Sequence, residues 1–186
     1  MDPRDRFNEL YRAQYQAVLR YALCRTDPES ARDVVAETFL VAWRRLDAVP
    51  ADPAQAAPWL FGVARLVLAN ADRSRRRLDR VAARLGGEHL SGQSPDIARG
   101  VAERTRLERA LASLPEIDQE ALRLVGWEEL DLAEAAQVMG CSRPTMTVRL
   151  HRARRRLARV LAADTADSGP TGRSGPLRQQ IRQEAS

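Results

Sequence analysis

Residues 143–160, RPTMTVRLHRARRRLARV, hold seven arginines and no acid. Guanidinium groups keep their charge at any physiological pH and present a planar fork of donors suited to phosphate oxygens and to the major-groove edge of guanine. The chemistry on offer is recognition of a polyanion, not bond making. Apolar residues recur within the same stretch: Met146, Leu150, Ala153 and Leu157 follow at +4, +3 and +4, one line along a helix. Pro144, Val148, His151 and Arg155 point away from that line, flanked by Thr147 and Arg152, and such an outward face fits a major groove. Val148 reads either as a contact for a thymine methyl or as a plain surface valine. Arg149, Arg154, Arg156 and Arg159 lie to the sides and suit phosphates.

What must position this helix lies just before it, in DLAEAAQVMGCS. Asp131 and Glu134 form an Asp-x-x-Glu start signal, and Leu132, Ala135, Ala136 and Met139 make one apolar face. Gly140 ends that short helix, since a residue without Cβ takes the left-handed turn at little cost. Ser142 is placed to cap the next helix, with Pro144 in its first turn. Helix, glycine turn and helix at this spacing predict a helix-turn-helix. A solvated basic helix is the plain alternative, but cap, turn and core line together favour DNA. The expected contacts are Ser142, Arg143, Thr147, Val148, Arg149, His151, Arg152 and Arg155.

The chain has 186 residues with a formal net charge of only +5, so everything outside this stretch is slightly acidic, and all 30 basic residues are arginine. Apolar residues make up 44 % and aromatics 5 %, with few β-branched runs, which predicts an all-α protein. Cys24 and Cys141 match neither a metal-ligand spacing nor a disulfide framework. No apolar run approaches the ~20 residues of a membrane span, and MDPRDRF lacks the apolar core of a signal peptide, so a cytoplasmic location is expected. The histidines are His89 and His151, and neither joins a nucleophile or a carboxylate cluster. No glycine-rich phosphate loop appears. No enzyme activity, cofactor or metal site is expected.

Towards the N-terminus, residues 4–25 carry Phe7, Leu10, Tyr11, Val18 and Ala22 at helical spacing. A second helix over 29–47 has Val35, Phe39, Ala42 and Leu46 on its core line. VPADPAQAAP, with three prolines, predicts irregular chain, and a third helix is expected from Trp59 into RSRRRLDR, with Leu60, Val63, Ala64, Val67 and Ala71 buried. Leu85 to Gly100 is rich in Gly, Ser and Pro and reads as a flexible connector able to stretch ~50 Å. Helices are expected at 102–113 and from Pro115 to near Trp127. The polar segment after Ala163 reads as disordered. The expected plan is two small helical bundles, residues 1–80 and 102–162, joined by a flexible linker at 81–101 and followed by a disordered tail at 163–186.

Four stretches, in this order and separation, resemble the extracytoplasmic-function (ECF) class of bacterial sigma factors in the sigma-70 family. ARDVVAETFLVAWRRLD and PWLFGVARLVLANADRSRRR look like the second conserved sigma region; LERALASLPEIDQEALRL and LAEAAQVMGCSRPTMTVRLHRARRRL look like the fourth. Ala36, Leu66, Ala71 and Pro144 stand where the family often has Gln, Asn, an aromatic and Gly. The resemblance implies that the second region docks on the clamp coiled coil of the polymerase largest subunit and captures a melted −10 strand. It implies that the fourth binds the −35 duplex and the flap of the β subunit, and that an anti-sigma protein is a further partner. Asp33, Glu37, Leu40 and Arg44 lie opposite the second helix's core line, a charged face with one apolar anchor that suits polymerase docking. For the −10 strand the candidates are the outward cations Arg65, Arg73, Arg76 and Arg77, with Trp59 and Phe61 able to stack on unpaired bases or to serve as core. The competing readings are a helix-turn-helix regulator that does not bind core polymerase, and a DNA-acting enzyme such as a recombinase.

Overall fold

The computed structural model describes residues 2–84 and 101–167. Among these the regular structure is helical throughout: α1 (Pro3–Leu23), α2 (Pro28–Arg44), α3 (Pro53–Arg84), α4 (Val101–Ala112), α5 (Glu116–Gly126), α6 (Leu132–Met139) and α7 (Arg143–Asp167), with a 3-10 turn at Leu46–Ala48. The all-α expectation holds. Most of the expected connector, residues 85–100, and the tail from 168 lie outside the described residues.

Three of the helix starts share one local device, an Asp-Pro pair. Asp2 accepts from the Arg4 amide at 3.2 Å, Asp27 from Glu29 and Ser30 at 3.1 and 3.0 Å, and Asp52 from Ala54 at 3.0 Å. The proline that follows each Asp sits where the helix needs no N–H donor. This device corrects one expectation. α3 begins at Pro53, not near Trp59, because Asp52 caps it and Ala54 to Ala57 propagate it. Pro58 lies inside the helix and is fully buried; it forgoes the bond to the Ala54 carbonyl, and packing offsets that loss.

Val35, Phe39, Ala42 and Leu46 of the α2 line are all buried, as are Leu60 and Ala64 of α3 and Val18 and Ala22 of α1. Tyr11 is 40 % exposed, its ring 4.7 Å from that of Phe39. Ala71 is exposed. A smaller core of Leu111, Leu114, Leu122, Leu150 and Ala153 ties α4 and α5 to α7.

The two bundles also meet each other. They do not stand apart in this structure: one core cluster runs from Val18, Tyr21, Leu60 and Phe61 into Leu124, Ala135, Val138 and Met146. The cause is α6. Its eight residues bury Ala135, Ala136, Val138 and Met139, more than one helical stripe, so that one face meets α7 and another meets α3. A helix apolar on two sides needs two neighbours.

Candidate nucleic-acid interface

α6 and α7 form the helix-turn-helix, and each part of the turn has a local cause. The Asp131 carboxylate accepts from Ala133 and Glu134 at 2.6 and 2.9 Å, while the Glu134 carboxylate accepts from the Asp131 amide at 2.8 Å, a complete capping box. These amide donors, Glu134 first, hold the Asp131 carboxyl below its ordinary value. Gly140 takes φ 62°, ψ 39°, and the Cys141 amide donates to the Ala136 carbonyl at 3.0 Å. The Thr145 amide reaches the Ser142 hydroxyl at 3.3 Å, so Ser142 caps α7.

α7 presents its two sides as expected. Met146, Leu150 and Ala153 are buried and Leu157 is half-buried, whereas Arg143, Thr147, His151, Arg152 and Arg155 are exposed. Val148 is 49 % exposed among these cations. The Thr147 hydroxyl donates to the Arg143 carbonyl at 3.0 Å, and the residue is exposed. Arg149 is half-buried and donates to the Cys141 sulfur at 3.6 Å, fixing its stem across the turn.

Two candidate residues are engaged within the protein. Arg156, read as a phosphate contact, is paired with Asp118, whose side chain is only 4 % exposed. A buried carboxylate needs such a partner, so Arg156 braces α7 on α5. Phe61, a candidate for base stacking, is 4 % exposed, its ring stacked on Tyr21 at 4.9 Å. It is a core residue here. Trp59 is half-buried against the same core.

The remaining candidates fall on surfaces. Asp33, Glu37 and Arg44 are exposed and Leu40 is 41 % exposed, all on one side of α2. Trp43 beside them is 43 % exposed, its edge on Phe7 at 5.2 Å. On α3, Arg65 is half-buried, Arg73 and Arg77 are exposed, and Arg73 donates to Asn70. The Arg76 side chain lies outside those described. The structure thus gathers the α7 set on one helix face and the α2 set on another, and sets Arg65 and Arg73 of α3 along a separate cleft.

Sequence reasoning missed four residues that join the N- and C-terminal halves: Tyr21, Arg25, Glu120 and Glu128. No local signal marks them, since partners lie about a hundred positions apart.

Comparison with known proteins places each half of the chain in a family. Residues 8–87 match the Sigma-70 region 2 family and residues 104–157 the Sigma-70, region 4 family. The chain is 34 % identical over 166 residues to the ECF RNA polymerase sigma factor SigC of Mycobacterium tuberculosis, covering 88 % of this chain and 84 % of that protein. It is 35 % identical over 144 residues to the ECF RNA polymerase sigma factor EcfG of Rhodopseudomonas palustris, covering 76 % and 77 %. In structure it is similar to the sigma factor RpoE in complex with the anti-sigma factor NepR from Bartonella quintana, with TM-score 0.66 and 26 % identity over 84 % of this chain and 96 % of that one. It is also similar to CnrH in complex with the cytosolic domain of CnrY, with TM-score 0.59 and 29 % identity over 85 % and 88 %.

Proposed function

The chain belongs to the ECF sigma factors of the sigma-70 family, and from that premise we propose how its residues divide the work of an RNA polymerase sigma factor. Residues 1–80 form the polymerase-docking and −10 unit, residues 102–162 the −35 unit, and the segment between them the tether. The single observation that carries this division is α7: a capped recognition helix with a buried apolar line and, opposite it, an exposed face of Arg143, Thr147, Val148, His151, Arg152 and Arg155.

In the −35 duplex, arginine contacts to phosphate supply most of the affinity, and Thr147, Val148, His151 and Arg152 read base edges. Asp33, Glu37, Leu40 and Arg44 dock α2 on the polymerase clamp, with Leu40 as the apolar anchor. Arg65, Arg73, Arg76 and Arg77 hold phosphates of the opened −10 strand. Unwinding costs stacking and pairing, so this unit must bind the displaced strand more tightly than the duplex; only differential affinity shifts that equilibrium. The tether lets the two recognition events add through effective concentration. Bond making stays with polymerase, and work beside polymerase places the chain in the cytoplasm; no helix among the described residues is long and apolar enough to cross a membrane. The solved relatives are held by the anti-sigma factor NepR and by CnrY, and a partner of that kind fits this chain too. A regulator that ignores polymerase would leave the region 2 match over residues 8–87 without a purpose.

The test is start-site choice. Sigma-free core polymerase given this chain should initiate at discrete promoters in a genomic template library. The double variant Glu37→Arg, Leu40→Arg should lose both core association and initiation while its circular dichroism stays helical. Retained association removes the α2 face, and failure of the unaltered chain to direct initiation removes the reading itself.

A further inference from the structure

The outer side of α3 carries more than its arginines. Trp59, Val63, Leu66, Asn70, Arg73 and Arg77 follow at +4, +3, +4, +3 and +4, a spacing that keeps them on one stripe of the helix. Leu60, Phe61 and Ala64 are buried on the other side. Along the stripe exposure rises: Trp59 and Val63 are half-buried, and Leu66, Asn70, Arg73 and Arg77 are exposed. The chemistry changes in the same direction, from an aromatic ring and aliphatic carbon through an amide to two guanidinium groups. The stripe holds no acid. Arg73 donates to the Asn70 side-chain oxygen, tying the amide to the first guanidinium.

Leu66 is the residue that packing does not explain. At 58 % it is more exposed than any other large apolar side chain among the described residues, Val148 at 49 % included. Helix propensity would be served equally well by a straight-chain polar residue, which water would solvate better. A leucine that anchors a protein partner is ringed by contacts that exclude water; here an amide and two cations follow within about three turns, an order suited to a polyanion. Single-stranded DNA offers both halves of the match, bases that cover apolar carbon and phosphates that meet arginine.

The side chain also discriminates among bases. Thymine alone carries a methyl group on its edge, and leucine gains apolar contact with it. The amino groups of cytosine, adenine and guanine find no acceptor on leucine, so covering them there leaves a donor unpaired.

We propose that Leu66 makes α3 a thymine-selective reader of the separated −10 strand, with Arg73 and Arg77 holding the adjoining phosphates. The inference rests on the −10 role proposed above for this helix and adds the base that it selects.

Oligodeoxythymidine and oligodeoxyuridine of equal length differ only in the C5 methyl, so the ratio of their affinities for the full-length chain isolates that group. A methyl taken fully out of water changes affinity about fourfold, and fluorescence anisotropy should show the parent binding the thymidine strand tighter by about that factor. Leu66→Asn should erase the difference, and Leu66→Met, which keeps the aliphatic contact, should retain it. Both variants should keep the parental circular dichroism, because the position is exposed. Arg73→Ala should weaken both strands alike and leave their ratio standing. A parent that binds both strands equally, or neither, overturns the proposal. So does a ratio that survives Leu66→Asn, which would assign the preference to stacking on Trp59. These strands need no polymerase: loss of the ratio removes Leu66 as a reader and leaves start-site choice untouched, whereas failure of start-site choice removes the sigma reading whatever the ratio.

Discussion

A single arginine on α7 has a meaning that its charge does not reveal. Arg152 and Arg155 extend into solvent, Arg149 is braced on Cys141, and Arg156 is taken by Asp118. The first three should contact DNA and the fourth should hold α7 in register. Replacing Arg149, Arg152 and Arg155 by Ala should therefore weaken promoter-fragment binding and reduce the slope of log K against log salt by about two, since Arg149 and Arg155 each lose a phosphate contact worth ~0.9 while Arg152 loses a base edge. Titrating binding at several salt concentrations measures that slope; an unchanged slope shows that this face does not meet the backbone. Helical periodicity placed these residues on the outward side of α7 because the wheel is a local property. It could not separate Arg156 from its neighbours, because the buried carboxylate that claims it lies on α5.

At the scale of elements, short-range signals carry most of the information. The Asp-Pro starts, the capping box and the glycine turn each act within four residues, and each is present in the structure. Gly140 stands at φ +62° with open space around any added Cβ, so Gly140→Ala carries a backbone cost alone. That change should destabilise the chain by about 1 kcal/mol in urea unfolding, with Gly140→Asn costing less. The α2 cap gives a pH test. Amide bonds, that of Ser30 first, lower the Asp27 carboxyl from 3.8 to about 2. A lowered folded value means that the charge stabilises the fold above pH 3.8 and that this contribution fades as pH falls towards about 2. Thermal melts should show the parent ahead of Asp27→Asn at pH 5 and the difference closing below pH 3. The one element misjudged from sequence, the start of α3, failed for a tertiary reason: burial of Pro58 outweighs the hydrogen bond that it deletes.

For the whole molecule, the deciding fact is that α6 is apolar on two sides and finds α3 as well as α7. The resulting contact between the halves should resist salt. Raising ionic strength from 0.1 to 1 M shortens the screening length from ~10 to ~3 Å, yet the Arg25 pairs are mostly out of water and the contact around them is apolar, so the small-angle scattering profile should stay compact. A profile that expands with salt would assign the contact to surface charge instead. The sequence by itself determined the helices, their caps, the helix-turn-helix and the outward face of α7, because those rest on interactions within a turn or two of the chain. Only the tertiary structure decided that Phe61 is core, that Arg156 is a brace, and that Tyr21 and Arg25 meet Glu120 and Glu128. Such partners are chosen by which faces exclude water together, a property of the packed molecule that periodicity along the chain does not encode.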